Sequence, residues 1–385
     1  MKAPEFCLLA LFLCACRAAD PCASAPPTTR ASEDPTPLVG DPWQLSEPAL
    51  VGLDAAELAK AAAYSQSIGG QCLLVYKDGR LVFEQYYNGA SETSQQKSWS
   101  IAKSVTSTLL GIALRRDELR CVEQPVADFV PAWSDGKRDA IQLRHLLSHS
   151  SGLAFDAYSD AIYAITSGDL TAEALILPSA APPDTTFAYS QAAVQVLGAV
   201  LERAVGEDLE TYARRHLWGP LGASATLSWD RDPAGHVPMF DGLHVSCRDL
   251  LRLGVLYLHD GAWNGRPLLP PEYVSDATHS SQSVNRAVGY LWWLNGQTPA
   301  LAAPQQALPG WLLPEAPADL YSATGLGQNF VDVVPSTHTV YVHMRPAPQD
   351  MPNAMQTDLL KALFDDGLQI EHREILRRLG AAENQ

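Results

Sequence analysis

An α+β fold within the broad α/β class, with one sheet built from both ends of the chain and a helical section between them, is what the sequence predicts. Three observations predict it. The stretch "CLLVYKDGRLVFEQYY" reads as two β-rich runs about Asp78-Gly79, the turn chemistry of a tight hairpin. Near the other end, "QNFVDVVPSTHTVYVHMRP" reads as two strands around Pro335-Ser336. Between them, "QLRHLLSH", "QAAVQVLGAVLERAVG" and "CRDLLRLGVLYLHDG" repeat apolar residues every three or four positions, the period of a helix with one buried face.

In chain order, Lys2 is followed by "FCLLALFLCAC", which is too short to span a bilayer and reads as an export signal over residues 1–19. Leu13-Cys14-Ala15-Cys16 resembles the lipobox of bacterial lipoproteins, which makes Cys16 the lipidation candidate. An ordinary signal cleaved near Ala18 or Ala19 is the alternative. A periplasmic or secreted protein is expected, attached to a membrane only through an N-terminal lipid. Residues 20–47, rich in Pro, Ser and Thr without periodicity, read as a tether. After the hairpin and a polar loop, an apolar helix is expected from about Ile101 to Arg115. A last helix is expected near 353–364, Asp365-Asp366 reads as its solvated end, and 371–385 as a tail.

Composition bounds the function. The 385 residues leave ample length for a buried core, and 46% of them are apolar. A formal net charge of −16 argues against nucleic-acid binding, which needs clustered Lys and Arg, and against docking on anionic lipid. Of seven cysteines, four (Cys7, Cys14, Cys16, Cys22) lie in or just after the leader. The other three, Cys72, Cys121 and Cys247, are expected as buried free thiols, because a domain of this size needs no covalent staples.

Three serines stand three residues ahead of a lysine: Ser94/Lys97, Ser100/Lys103 and Ser134/Lys137. A serine hydroxyl is a poor nucleophile until a base removes its proton. A lysine serves only if partly neutral, which at pH 7 needs a downward shift of roughly 3.4 pK units. Burial is one means of achieving that. "SETSQQKS" is polar throughout, and Asp135-Gly136 marks a turn, so the first and third pairs should be solvated. Ser100 alone opens an apolar helix, with Lys103 one turn along on the same face. The helix N-terminus also favours negative charge at Ser100. The structural alternative is a serine that merely caps the helix.

A tyrosine hydroxyl can shuttle the proton, and Tyr189 in "PPDTTFAYSQAAVQVLG" lies between a Pro-rich loop and a helix start. Tyr158 is a weaker rival, and Tyr86-Tyr87-Asn88 belongs to the hairpin. The glycines of "SATGLGQ" permit close backbone approach. The N–H of Ser100 and that of Leu326, just past Gly325, would make an oxyanion-binding pair.

With Ser100-Lys103, Tyr189 and Thr324-Gly325 in that order, the chain resembles the serine β-lactamase and penicillin-binding-protein superfamily. It looks most like the class C branch, which includes esterases and 6-aminohexanoate-dimer hydrolases. "QLRHLLSHSSGL", "GPLGA", "VGYLWWLN" and "ATGLGQNFVDVVPS" are similar to stretches of that branch, and the likeness runs from about Cys72 to Val340. The resemblance implies an antiparallel sheet flanked by helices, a helical subdomain, and an active site between them, in a domain over 48–370. It also implies Ser100 as acylated nucleophile and Lys103 as its partner. Tyr189 would be general base or acid, and Leu326 the second oxyanion donor. Which of Lys103 and Tyr189 takes the first proton stays open.

Two departures matter. Gln191 stands where the tyrosine motif usually ends in Asn, and Ala323 stands where Lys or His usually precedes Thr324-Gly325. Without that cation nothing obvious holds a penicillin's carboxylate. The expected activity is therefore hydrolysis of a small ester or amide without a cofactor. A true β-lactamase or D-alanyl carboxypeptidase is the nearer rival, and a non-catalytic envelope binding protein the further one. His145 and His149 lack the Glu of a zinc-protease motif and are expected to be structural rather than metal ligands. Of Trp292-Trp293, one should face the cleft and the other the core.

Overall fold

The computed structural model describes residues 22, 45–303, 305–346 and 367–383. The leader with Cys16, most of the tether, the helix expected near 353–364 and Asp365-Asp366 lie outside the described residues.

Six antiparallel strands form the central sheet. In chain order they are β1 (Cys72–Lys77), β2 (Arg80–Tyr86), β3 (Trp293–Leu294), β4 (Tyr321–Gly325), β5 (Asn329–Val334) and β6 (Thr339–Met344). The spatial order β2-β1-β6-β5-β4-β3 places the N-terminal hairpin beside the C-terminal strands, as the two ends of the sequence predict. Asp78 (φ 47°) and Gly79 (φ 80°) both take the left-handed conformation that a two-residue hairpin turn requires.

Both faces of the sheet are covered. Along β1, Leu73 and Val75 point into a core shared with helix α1 (Ala55–Ser67), while Cys72, Leu74 and Tyr76 join the larger core on the opposite face. That alternation is the period of two expected of a strand between two helical layers. The larger core is built with α2 (Ile101–Arg115), α3 (Leu143–Leu147), α4 (Ala157–Thr166), α5 (Gln191–Val205) and α6 (Cys247–Leu258). Helix α2 is buried from Ile101 to Ala113 and packs on α5 and on β4, so its N-terminus is held between the helical region and the sheet edge. This is the β-lactamase/transpeptidase-like architecture.

Two expectations need correction. Cys22 is bonded to Cys121, and Cys72 at the start of β1 to Cys247 at the start of α6, so these cysteines are not free thiols. Strand β1 and α6 pack face to face, and that contact brings together residues 175 positions apart. Cys22, placed in the tether, is thereby fixed to the domain. The tail expected over 371–385 is helical through Glu383, in α7 (Gly367–Glu383). Its Ile375, Leu376, Leu379 and Ala382 are buried at helical spacing in the core shared with α1. At its far end, Ala382 accepts a backbone hydrogen bond from Asp54.

Candidate active site

Ser100 is the residue before the first turn of α2, and its side chain makes no capping hydrogen bond to that helix. The hydroxyl is spent on chemistry-bearing neighbours instead. Trp99, just before it, holds φ at +53°, a left-handed conformation costly for a bulky residue and characteristic of functional turns. Gly325 explains what the turn packs against. A Cβ there would overlap the Ser98 carbonyl oxygen and lie 3.2 Å from Trp99 Cβ and 3.3 Å from Ser100 N. Only glycine lets β4 come this close to the serine.

Lys103, one turn along, is 2% exposed, and its Nζ donates to Ser100 Oγ at 2.8 Å and to the Phe240 carbonyl at 3.1 Å. Burial pushes its pKa down to about 7, against the opposing pull of the Asp241 and Asp160 carboxylates. The lysine is thus about half neutral at neutral pH. Tyr189 precedes α5 and its ring lies 4.7 Å from Lys103 Nζ. Burial raises the Tyr189 pKa well above that of a free phenol, with the hydrogen bond to Ser100 acting in the other direction. At neutral pH the phenol therefore keeps its proton.

The other serine–lysine pairs fall out on geometry. Lys97 is ion-paired with Asp230 (3.2 Å) and Asp241 (3.1 Å), which raise its pKa. Lys137 lies in an exposed turn organised by Asp135. Tyr158 is 49% exposed, while Tyr86 and Tyr87 bond to Glu84 and Ser65.

Ser100, Lys103, Tyr189 and Thr324 line one cleft with Ser104, His149, Val288, Leu291, Trp292 and Trp293. Gly325 shapes it through its contact with the Ser98–Ser100 turn. Leu326 and Gln191 are not among the lining residues. Gln191 N–H donates to Asp160 Oδ2 at 2.8 Å, and its side-chain oxygen is buried without a partner among the described residues. Ala323 is buried in β4, and among the described residues lining the cleft Lys103 is the only amine or guanidine.

Sequence reasoning underrated four residues. Asp160 accepts from Ser190 Oγ and from the N–H groups of Gln191 and Ala192, fixing the first turn of α5 behind Tyr189. Trp293 stacks on Tyr189 at 5.5 Å, and Trp292 lines the cleft floor while packing on Tyr257. His149, expected as structural, faces the cleft: its ring lies 4.8 Å from that of Tyr189, and burial beside Lys103 pushes its pKa down to about 3. His145 is a structural partner of Asp184, at 3.2 Å. Among the described residues no group of three or more His, Cys, Asp or Glu side chains is arranged to hold a metal ion.

A helix opening on Ser100 is held against a sheet edge, with a dry lysine and a protonated tyrosine beside its hydroxyl. The chain belongs to the Beta-lactamase family, whose model matches residues 54–352. It is similar to the 6-aminohexanoate-dimer hydrolase of Paenarthrobacter ureafaciens, 26% identical over 58% of this chain and 61% of that protein. It is similar also to esterase EstB of Burkholderia gladioli, 28% identical over 46% of this chain and 53% of that protein. The chain spans less than two thirds of the length of the curated relatives it matches. Among solved structures, EstCE1, described as a hydrolase with promiscuous acyltransferase activity, shares the fold. It gives a TM-score of 0.63 at 16% identity, over 84% of this chain and 98% of that one.

Proposed function

We propose that the protein is an exported serine hydrolase that cleaves small, uncharged esters or amides through an acyl-enzyme on Ser100. The observation that carries this reading is the 2.8 Å contact between a buried Lys103 amine and the Ser100 hydroxyl. Neutral Lys103 takes the Ser100 proton as Oγ attacks the substrate carbonyl carbon. The Ser100 N–H receives the oxyanion, and the N–H of Leu326, outside the cleft lining but next to the close-packed Gly325, is the candidate second donor. Tyr189, protonated, donates its hydroxyl proton to the departing heteroatom and regains one from the Lys103 ammonium. Water then attacks the acyl-enzyme carbonyl, the protons travel back, and the free acid and Ser100 hydroxyl are restored. In this reading Lys103 rather than Tyr189 is the first base, because the raised Tyr189 pKa leaves little phenolate at neutral pH.

Ala323 and the apolar cleft walls support uncharged substrates over β-lactam acids, since among the described residues lining the cleft the only amine or guanidine is Lys103, which is held on Ser100. The named relatives, a hydrolase of amide dimers and an esterase, support the same substrate class. Export is supported by two disulfides, which persist in oxidising compartments. The lipobox-like leader adds Cys16 as the lipid-bearing residue. Metabolic labelling with a fatty acid should be lost in Cys16→Ala.

The decisive experiment treats purified protein with a fluorophosphonate and reads intact mass. One adduct is expected on the wild type and none on Ser100→Ala. An unreactive wild type, or an equal adduct on the variant, would favour a non-catalytic binding protein. Faster turnover of a cephalosporin than of p-nitrophenyl butyrate would make it a β-lactamase.

A further inference from the structure

His149 carries a hydrogen-bond donor for which the described residues supply no acceptor. Its carbonyl accepts from Ala188 N–H at 2.9 Å and its Nδ1 accepts from Ser190 N–H at 3.4 Å, so one residue brackets Tyr189 on both sides. A backbone N–H can only donate, so Nδ1 is the bare nitrogen and the ring proton of the neutral imidazole resides on Nε2. The side chain is 3% exposed, and Nε2 is buried without a partner among the described residues. Folding normally satisfies such a group, because a stripped N–H costs more than a hydrogen bond returns. The backbone at His149 is itself held at φ +56°, a strained conformation that recurs at ligand sites. The residue lines the same cleft as Ser100, on the Tyr189 side, where the proton is delivered to the leaving group.

We infer that His149 Nε2–H is a specificity-determining donor that binds a neutral acceptor oxygen, ether or carbonyl, carried by the leaving group of the substrate. The inference rests on the hydrolase reading above and narrows it. The preferred substrate is one whose alcohol or amine half bears an oxygen a few bonds beyond the scissile linkage, rather than a plain alkyl chain. The remaining walls there, Trp292 and Trp293 among them, offer mainly apolar surface.

The test compares 2-methoxyethyl butyrate with n-butyl butyrate, which share an acyl group and a leaving-group length and differ by one ether oxygen. The ratio of their kcat/KM values is measured in wild type and in His149→Phe, which keeps a ring against Tyr189 but has no donor. Comparing ratios divides out intrinsic ester reactivity. The wild-type ratio should exceed the variant's by roughly two- to tenfold, the range of one neutral hydrogen bond, with the change in KM. His149→Gln, which keeps an N–H donor, should recover part of the preference. His149→Met carries the same expectation as His149→Phe should the larger ring not be accommodated.

Fluorophosphonate labelling of Ser100 in each variant is followed alongside, and because each ratio is internal to one variant it is read at whatever rate that variant is labelled. Equal ratios in wild type and His149→Phe overturn the donor role, and a wild type that takes the label leaves the hydrolase reading standing. A wild type that takes no label overturns both.

Discussion

Lys103 Nζ lies 2.8 Å from Ser100 Oγ along a single helical turn, and its other acceptor is a backbone carbonyl, that of Phe240. Among the described residues no carboxylate hydrogen-bonds to it. Burial therefore depresses its pKa, and the Asp241 and Asp160 carboxylates offset only part of that cost.

The first prediction is a pH profile. On the proposed mechanism, acylation needs Lys103 neutral and Tyr189 protonated. With Lys103 near 7, the rate of inactivation by an uncharged fluorophosphonate should rise about tenfold per pH unit below that value and level off above it. The plateau should persist to at least pH 10, because burial raises the Tyr189 pKa above that of a free phenol. His149, pushed down to about 3, should add no step near pH 6.5. A rate that climbs only near pH 10 would mean that the lysine is hydrated and charged.

Removing the amine should trade catalysis for stability. Lys103→Met should slow acylation by roughly 10²–10⁴, the usual worth of a positioned proton-transfer group. The linkage sign is fixed by the direction of the shift. Between the folded value of about 7 and the unfolded value of 10.5, the unfolded chain binds the extra proton, so stability rises with pH across that window. Below 7 the cost is complete, up to about 5 kcal/mol. Lost hydrogen bonds to Ser100 and Phe240 offset part of it. Lys103→Met should therefore raise Tm at pH 6, with the gain shrinking towards pH 10. An unchanged or lowered Tm at pH 6 would contradict the burial cost.

Gly325→Ala tests the close approach of β4 to the nucleophile turn. The added methyl meets backbone, the Ser98 carbonyl, which cannot swing aside as a flexible side chain would. Overpacking of that kind costs about 1–3 kcal/mol. Displacing the Ser100 hydroxyl from Lys103 should lower kcat/KM by more than 10², the scale of losing a positioned proton-transfer group. A folded variant with wild-type labelling would show that the strand does not set the serine's position.

What the sequence discloses depends on how local the cause is. Helix α2 was legible to its boundaries, and Ser100 was separable from Ser94 and Ser134, because the apolar run that dries Lys103 is contiguous with the motif. The Asp78-Gly79 hairpin is equally local. Three features were hidden because their causes are tertiary. His149 looks like one more polar residue in "HLLSHSSG", and its importance arises from loop segment 184–190 folding back onto it. In α7, the buried residues are interleaved with Arg and Glu, so the segment reads as a solvated tail until α1 lies beside it. Gln191 was placed at the site by resemblance, yet its backbone is tied to Asp160 and its side chain stays outside the cleft lining.

Cysteine pairing was the furthest from sequence view, and it supplies the last prediction. The two bridges close separations of 99 and 175 residues, and on a chain-entropy estimate each contributes about 4–5 kcal/mol. Cys72 and Cys247 are 0% and 3% exposed, whereas Cys22 is half-buried at the surface. A mild reductant under native conditions should therefore open Cys22–Cys121 first, with Cys72–Cys247 following only on unfolding. Paired Cys→Ala replacements at either bridge should lower Tm while leaving fluorophosphonate labelling of Ser100 intact, because neither bridge touches the cleft. Unreduced peptide mapping of the native protein checks the premise directly. Recovery of Cys72 and Cys247 as separate alkylatable thiols would return both residues to ordinary buried packing and remove one support for export.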